Sequence, residues 1–147
     1  MSTIHIKPFK ELTLHDLYSF LKLRVDIFVV EQNCPYPELD GADEKAIHLY
    51  IKEDDGVIAY LRIIPSKTGT ARIGRVVTKI EHRGKGLSSQ LMKRAMEYIR
   101  EHYPEDTMIL SAQEHLQHFY ASFGFKPVSE VYLEDGIPHV DMEFKNQ

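Results

Sequence analysis

The chain has a single cysteine, Cys34, so no disulfide can close within it, and that usage fits a reducing compartment. Long apolar runs are missing as well. The opening segment MSTIHIKPFKELT holds neither a membrane-length stretch nor a cleavage signal, which predicts a soluble, cytoplasmic protein without a membrane partner. There is no internal repeat, low-complexity tract or Gly/Ser/Pro-rich linker, so residues 1–147 read as one domain. Positive charge is not in excess: the formal net charge is −4, which disfavours nucleic acid as a partner. What the chain does have is material for a core, with 43% hydrophobic and 10% aromatic residues, against the composition of disorder.

Periodicity locates the elements. IHIKPF alternates as a short strand. Leu14, Leu17, Leu21, Val25 and Phe28 recur at helical spacing between Thr13, a candidate N-cap, and about Val30. EQNCPYPELDGADEK, with two prolines and a glycine, breaks that helix as a loop. IHLYIKE and VIAYLRIIP flank DDG as a hairpin, and TARIGRVVT follows the turn SKTGT as a further strand. From Leu87 the pattern is helical, with Leu87, Leu91, Ala95 and Ile99 on one face. MILSA is a short buried strand, and another helix runs from roughly Leu116 to Ser122. FKPVSEVYL and IPHVDMEF are strands joined by EDG. The order β-α-loop-β-β-β-α-β-α-β-β predicts an α/β chain of the α+β, mixed-sheet kind, since its consecutive hairpins do not suit a doubly wound fold.

From the end of the fourth of these strands runs VVTKIEHRGKGLSSQLM, where a strand gives way to glycines, basic residues and a helix. A phosphate-binding P-loop needs a glycine where Lys79 stands, and a dinucleotide fingerprint needs one where Ser89 stands. Both readings fail. A more general one remains: backbone N–H groups around Gly84, Gly86 and Ser88, with the positive end of a helix dipole, make an anion site to which Arg83 and Lys85 add charge. The alternative is a surface turn capped by Ser88 or Ser89 with solvated basic residues.

The same stretch resembles motif A of the GNAT superfamily of N-acetyltransferases, [QR]-x-x-G-x-[GA], with Arg83, Gly86 and Ser88 in the three defined places. Ser88 departs from the usual Gly or Ala. The resemblance implies that Arg83, Gly84, Lys85, Gly86, Leu87, Ser88 and Ser89 hold the pyrophosphate of acetyl-CoA. Val76, Val77 and Thr78 would then bond its acetyl and pantetheine portion. AQEHLQHFYASFGF is similar to motif B through Phe119, Tyr120, Gly124 and Phe125. Gln113 stands where many relatives carry an asparagine that contacts the pantetheine arm. LRVDIFVVEQNCPYPELDGAD, followed by His48, resembles the ElaA-like branch through Arg24, Phe28, Glu31, Gln32, Tyr36, Asp40 and His48. That branch brings no substrate with it. The implied fold is the GNAT acyl-CoA N-acyltransferase fold over nearly the whole chain. The implied partners are acetyl-CoA, an amine on a small molecule or peptide, and a second copy in a homodimer.

Within that resemblance Tyr120 is the general acid for the departing sulfur, and its ordinary alternative is an aromatic core residue beside Phe119 and Phe123. A backbone N–H near Val77 or Thr78 would polarise the carbonyl. Where some relatives carry a basic glutamate, this chain has Arg72, which leaves Glu31 as the candidate base, acting through water, or else as a solvated helix-terminal acid. Tyr36 and His48 are candidates for the acceptor side, and a strand histidine has the alternative of a buried structural role. PYPELDGADE reads as a solvated acidic loop or as a rim that attracts a cationic amine. His115 and His118 lack the spacing of a metal motif, so no metal is expected. A non-catalytic acyl-CoA-binding sensor is the competing function.

Overall fold

The computed structural model describes residues 3–54 and 56–145. Asp55 of the DDG turn, Met1 and Ser2 of the opening segment, and the last two positions lie outside the described residues. The strands are β1 (Ile4–Pro8), β2 (Ile47–Glu53), β3 (Gly56–Pro65), β4 (Thr70–Thr78), β5 (Thr107–Gln113), β6 (Lys126–Pro127), β7 (Tyr132–Glu134) and β8 (Ile137–Lys145). The α-helices are α1 (Leu14–Arg24), α2 (Leu87–His102) and α3 (Gln117–Ala121). One mixed sheet runs β1-β2-β3-β4-β5-β8-β6, with β7 also paired to β8. Among the described residues only β4 and β5 run parallel, and they pair over Thr70–Arg72 and Thr107–Ile109.

Strand alternation sends successive side chains to opposite faces, and a separate core forms on each. Leu49, Ile51, Leu61 and Ile63 pack with Leu91, Met92, Ala95 and Ile99 of α2. Tyr50 and Tyr60 pack on the other face with Phe20, Leu23 and Ile27. The expected face of α2 is therefore the observed one. That of the first helix is so only in part, with Leu17, Leu21 and Phe28 partly buried against the second core. Thr13 does cap it, with Oγ1 accepting from Asp16 N at 3.0 Å, but Leu14 is 84% exposed, and the helix buries Asp16, Phe20, Leu23 and Arg24. Beyond Arg24 the helix widens into a π-helical run, Val25–Glu31. Val25, Ile27, Val29 and Val30, four β-branched residues with low helix propensity, lie in that run.

FKPVSEVYL is not one strand. Pro127 has no N–H with which to continue a ladder, and the chain bows out between β6 and β7. Across the bow, Val128 N donates to Asp141 O at 2.8 Å and Ser129 Oγ accepts from Asp141 N at 2.9 Å. Glu134, Asp135 and Gly136 then make the expected tight turn, with positive φ at both Asp135 and Gly136.

Candidate active site

Because β4 and β5 part company after Arg72 and Ile109, the remainder of each strand borders a V-shaped opening. β4 also carries a bulge. Tyr60 faces Val77 but Arg62 faces Gly74, so one extra residue is inserted, and Arg75 takes a left-handed φ of 54° there. Two clefts occupy the opening. One, of about 720 Å³, is lined by the glycine loop, the end of β4 and Glu31. The other, of about 430 Å³, lies toward the 34–40 loop and the β7–β8 turn. They share Phe28, Gln32, Val76, Gln113, Leu116, Tyr120 and Ile137 as a common wall.

The glycine loop has the geometry of an anion cradle. Gly86 stands at the N-cap of α2 with φ 76°, in the left-handed region that a side-chain-bearing residue disfavours. No side chain caps the helix, so neither Ser88 nor Ser89 serves as the cap considered above. The amide donors of the first turn, which cannot bond within the helix, face the cleft with the positive end of the dipole. Ser88 instead bonds Thr78, hydroxyl to hydroxyl, at 2.7 Å, which ties the helix start to the end of β4. That contact gives the irregular position in the motif a structural role. Of the residues assigned to acetyl-CoA, Val76, Val77, Thr78, Arg83, Gly84, Gly86, Leu87, Ser88, Ser89 and Gln113 all line this cleft. Lys85 does not, and its Nζ lies 3.2 Å from His82 Nδ1.

Arg83 is already engaged. Its Nη1 and Nη2 donate to the two carboxylate oxygens of Glu31 at 2.9 and 2.7 Å, and its Nε donates to Thr78 O at 3.2 Å. The Arg83 guanidinium holds the Glu31 carboxyl below its ordinary value, which makes Glu31 a weaker base than a free glutamate. A general-base role does not fit that pairing.

Tyr120, on α3, is 7% exposed and borders both clefts. Burial pushes its pKa up to about 12, so the hydroxyl stays protonated. Gly124 behind it admits no side chain, because a Cβ there would lie 2.8 Å from the Phe144 ring. Phe119 packs edge-on against Tyr120, with ring centroids 5.0 Å apart. Gln113 Nε2 donates to Gln32 Oε1 at 3.4 Å across the junction of the clefts.

His48 lies in neither cleft. It is fully buried, and the Asp43 carbonyl at 2.9 Å can only accept, so Nε2 carries the proton. Nδ1 then accepts from Tyr60 Oη at 2.6 Å, and burial lowers the histidine pKa and keeps the ring neutral. Stacked on Phe20 with centroids 5.0 Å apart, it is a core residue, and the acceptor-side assignment is corrected. Tyr36 does line the second cleft, where its hydroxyl donates to Glu38 Oε1 at 2.6 Å.

Two acids of the acidic loop, Glu38 and Asp43, are buried, while Asp40 and Glu44 are exposed. Glu38 Oε2 accepts from Arg24 Nε and Arg75 Nε, each at 2.7 Å. Asp43 Oδ1 accepts from Arg24 Nη1 at 2.7 Å and Arg62 Nη1 at 2.9 Å. Asp40 pairs with Arg62 at 2.7 Å, and that guanidinium holds its carboxyl well below the usual carboxylate range. Three arginines and three carboxylates thus neutralise one another, and Asp40, Arg62 and Arg75 of that network line the second cleft with Glu38, Asp43 and Arg24 buried behind them. The sequence marked Arg24 and Asp40 only through the family resemblance, and no local signal announced Glu38, Arg62 or Arg75. Among the described residues no group of three His, Cys, Asp or Glu side chains converges as a metal site, and no helix is long and apolar enough to cross a membrane.

A glycine-rich helix start beside a splayed, bulged parallel pair defines a class, and comparison with known proteins agrees with it. The family model described as "Acetyltransferase (GNAT) domain" matches residues 26–146. Protein ElaA of Escherichia coli is 46% identical over 136 residues, 90% of this chain and 89% of its own length. A UPF0039 protein of Schizosaccharomyces pombe is 44% identical over 141 residues, 95% of this chain and 94% of its own. The crystal structure of E. coli ElaA superposes with a TM-score of 0.92, covering 97% of this chain and 99% of that one. An acyl-CoA N-acyltransferase from Pseudomonas aeruginosa superposes at 0.91, with 43% identity and the same coverage. The chain belongs to the GNAT acetyltransferase family.

Proposed function

We propose that the protein is an acyl-CoA-dependent N-acyltransferase that takes acetyl-CoA and passes its acetyl group directly to an amine on a small molecule or peptide. The observation that carries this reading is the meeting of two clefts at Val76, Gln113 and Tyr120, one ending in an uncapped helix start suited to a pyrophosphate. Direct transfer needs such a junction, because amine and thioester must touch while each is held from its own side.

In this reading the unpaired edge of β4 after the bulge supplies the backbone N–H that polarises the thioester carbonyl. A nitrogen–carbon bond forms, the carbon–sulfur bond breaks, and the amine's surplus proton passes to water in the open cleft. Tyr120 then faces the departing sulfur. Full proton transfer from a hydroxyl with a pKa of about 12 to a thiolate of ordinary pKa about 8.5 is uphill. Tyr120 therefore works by donating a hydrogen bond to the developing thiolate, a narrower role than full general acid. Glu31 orients Arg83. Tyr36 belongs to the acceptor side through its place in the second cleft. The reading extends to a cytoplasmic location, supported by the single, buried Cys34.

The test is thiol release from acetyl-CoA across polyamines, aminosugars, amino acids and peptide N-termini. Amine-dependent release supports the reading. Acetyl-CoA binding with no release for any amine class favours the acyl-CoA sensor.

A further inference from the structure

Three arginines line the acceptor-side cleft: Arg62, Arg72 and Arg75. Two of them are tied to carboxylates, Arg62 to Asp40 and Asp43, and Arg75 to Glu38 and Asp40. Arg72 differs. Among the described residues its hydrogen bonding consists of one contact, from Nη1 to the neutral Ser111 Oγ at 3.3 Å. A guanidinium carries five N–H donors in a fixed fork, so most of this one is open. Asp141, on the far side of Ser111, does not neutralise it by direct pairing. Its Oδ1 accepts from Ser111 Oγ at 3.0 Å and from Tyr132 Oη at 2.6 Å. The cleft thus pairs a balanced ionic wall with one uncompensated cation. The β7–β8 turn adds two acids to the same cleft, Glu134 and Asp135, with Glu134 Oε2 3.6 Å from His139 Nε2.

We propose that the acceptor carries a carboxylate as well as its amine, and that Arg72, with Ser111, binds that carboxylate. The acidic turn favours entry of the ammonium end. This rests on the N-acyltransferase reading and names its substrate class. The guanidinium reaches across to Ser111, two residues beyond the Ile109 that pairs with Arg72, so it lies between the Arg72 backbone and the junction. An ω-amino carboxylate such as 6-aminohexanoate is the probe that offers an amine and a carboxylate on one flexible chain.

Calorimetry with 6-aminohexanoate and hexylamine, which share an amine and a chain but differ in the carboxylate, tests this with and without coenzyme A present. The expected result is binding of 6-aminohexanoate at least about tenfold tighter than hexylamine, with the preference lost in Arg72→Gln and partly kept in Arg72→Lys. Equal binding of the two probes, binding of neither, or a preference that survives Arg72→Gln overturns the proposal. Since the readout is binding, it separates from the chemistry. A carboxylate preference without amine-dependent thiol release would count against the acyl-transfer reading and leave the Arg72 site standing.

Discussion

Beyond its Arg83–Glu31 pair, the glycine-loop cleft offers backbone amides, two left-handed glycines and short hydroxyls, whereas the second cleft is edged by the charged side chains of Asp40, Arg62, Arg72 and Arg75. The first set comes from one continuous stretch of chain. The second is assembled across sequence separations of 14 to 37 residues. A cradle made of backbone accepts a ligand common to a whole family, because its donors do not depend on side-chain identity. A wall made of ion pairs holds one specific shape, and replacing a single member leaves the others buried and uncompensated. The glycine loop should therefore fail locally, in binding, and the ionic wall globally, in stability.

The largest expected effect is on the wall. Glu38→Gln leaves Arg24 and Arg75 without their shared carboxylate, at a site whose acid side chain is 2% exposed. Breaking a buried pair of this kind costs about 3–5 kcal/mol, or a melting temperature lower by roughly 10 °C. A loss under about 1 kcal/mol in urea denaturation would show that the wall is not structural. Gly86→Glu should act the other way. A Cβ there meets nothing within 4 Å, so packing is spared. The left-handed φ and the new negative charge at an anion cradle should weaken acetyl-CoA at least about 100-fold in calorimetry, with a stability loss of only about 1–3 kcal/mol.

A smaller effect is set by pH. Asp40 is held low by Arg62, so its contribution to stability is present above its unfolded pKa of about 3.9 and is lost as pH falls from there toward its folded value. Asp40→Asn should flatten the decline of the urea midpoint below pH about 4. An unchanged acid slope would break the contrast between the two walls. The smallest effect belongs to Glu31→Gln, which frees Arg83 from an exposed pair worth about 0–1 kcal/mol. Acetyl-CoA affinity should rise by at most about fivefold, and a fall would mean that Glu31 is needed to hold Arg83 in place.

This contrast also marks what the sequence could disclose. The spacing of Arg83, Gly86 and Ser88 is local, and local spacing survives translation into a loop at a helix start. The alternation of β2 and β3 and the stripe of α2 were equally open to reading, since each element states its own period. The bulge at Arg75 was hidden, because an arginine in TARIGRVVT carries no signal for a left-handed φ. The bow between β6 and β7 was announced only by Pro127. His48 and Asp40 were legible as residues that matter and not as residues that do a particular thing. Whether a histidine on a strand meets solvent, substrate or Phe20 depends on a helix more than twenty residues away, and only tertiary packing decides it.

The claim that joins the two clefts is that transfer happens at Tyr120, against the sulfur. The most direct test is amine-dependent thiol release in Tyr120→Phe, with acetyl-CoA affinity measured alongside. The account predicts that affinity holds while turnover falls by about 10²-fold or more at every pH where the wild-type protein is active. Turnover unchanged by the loss of that single hydroxyl would contradict it.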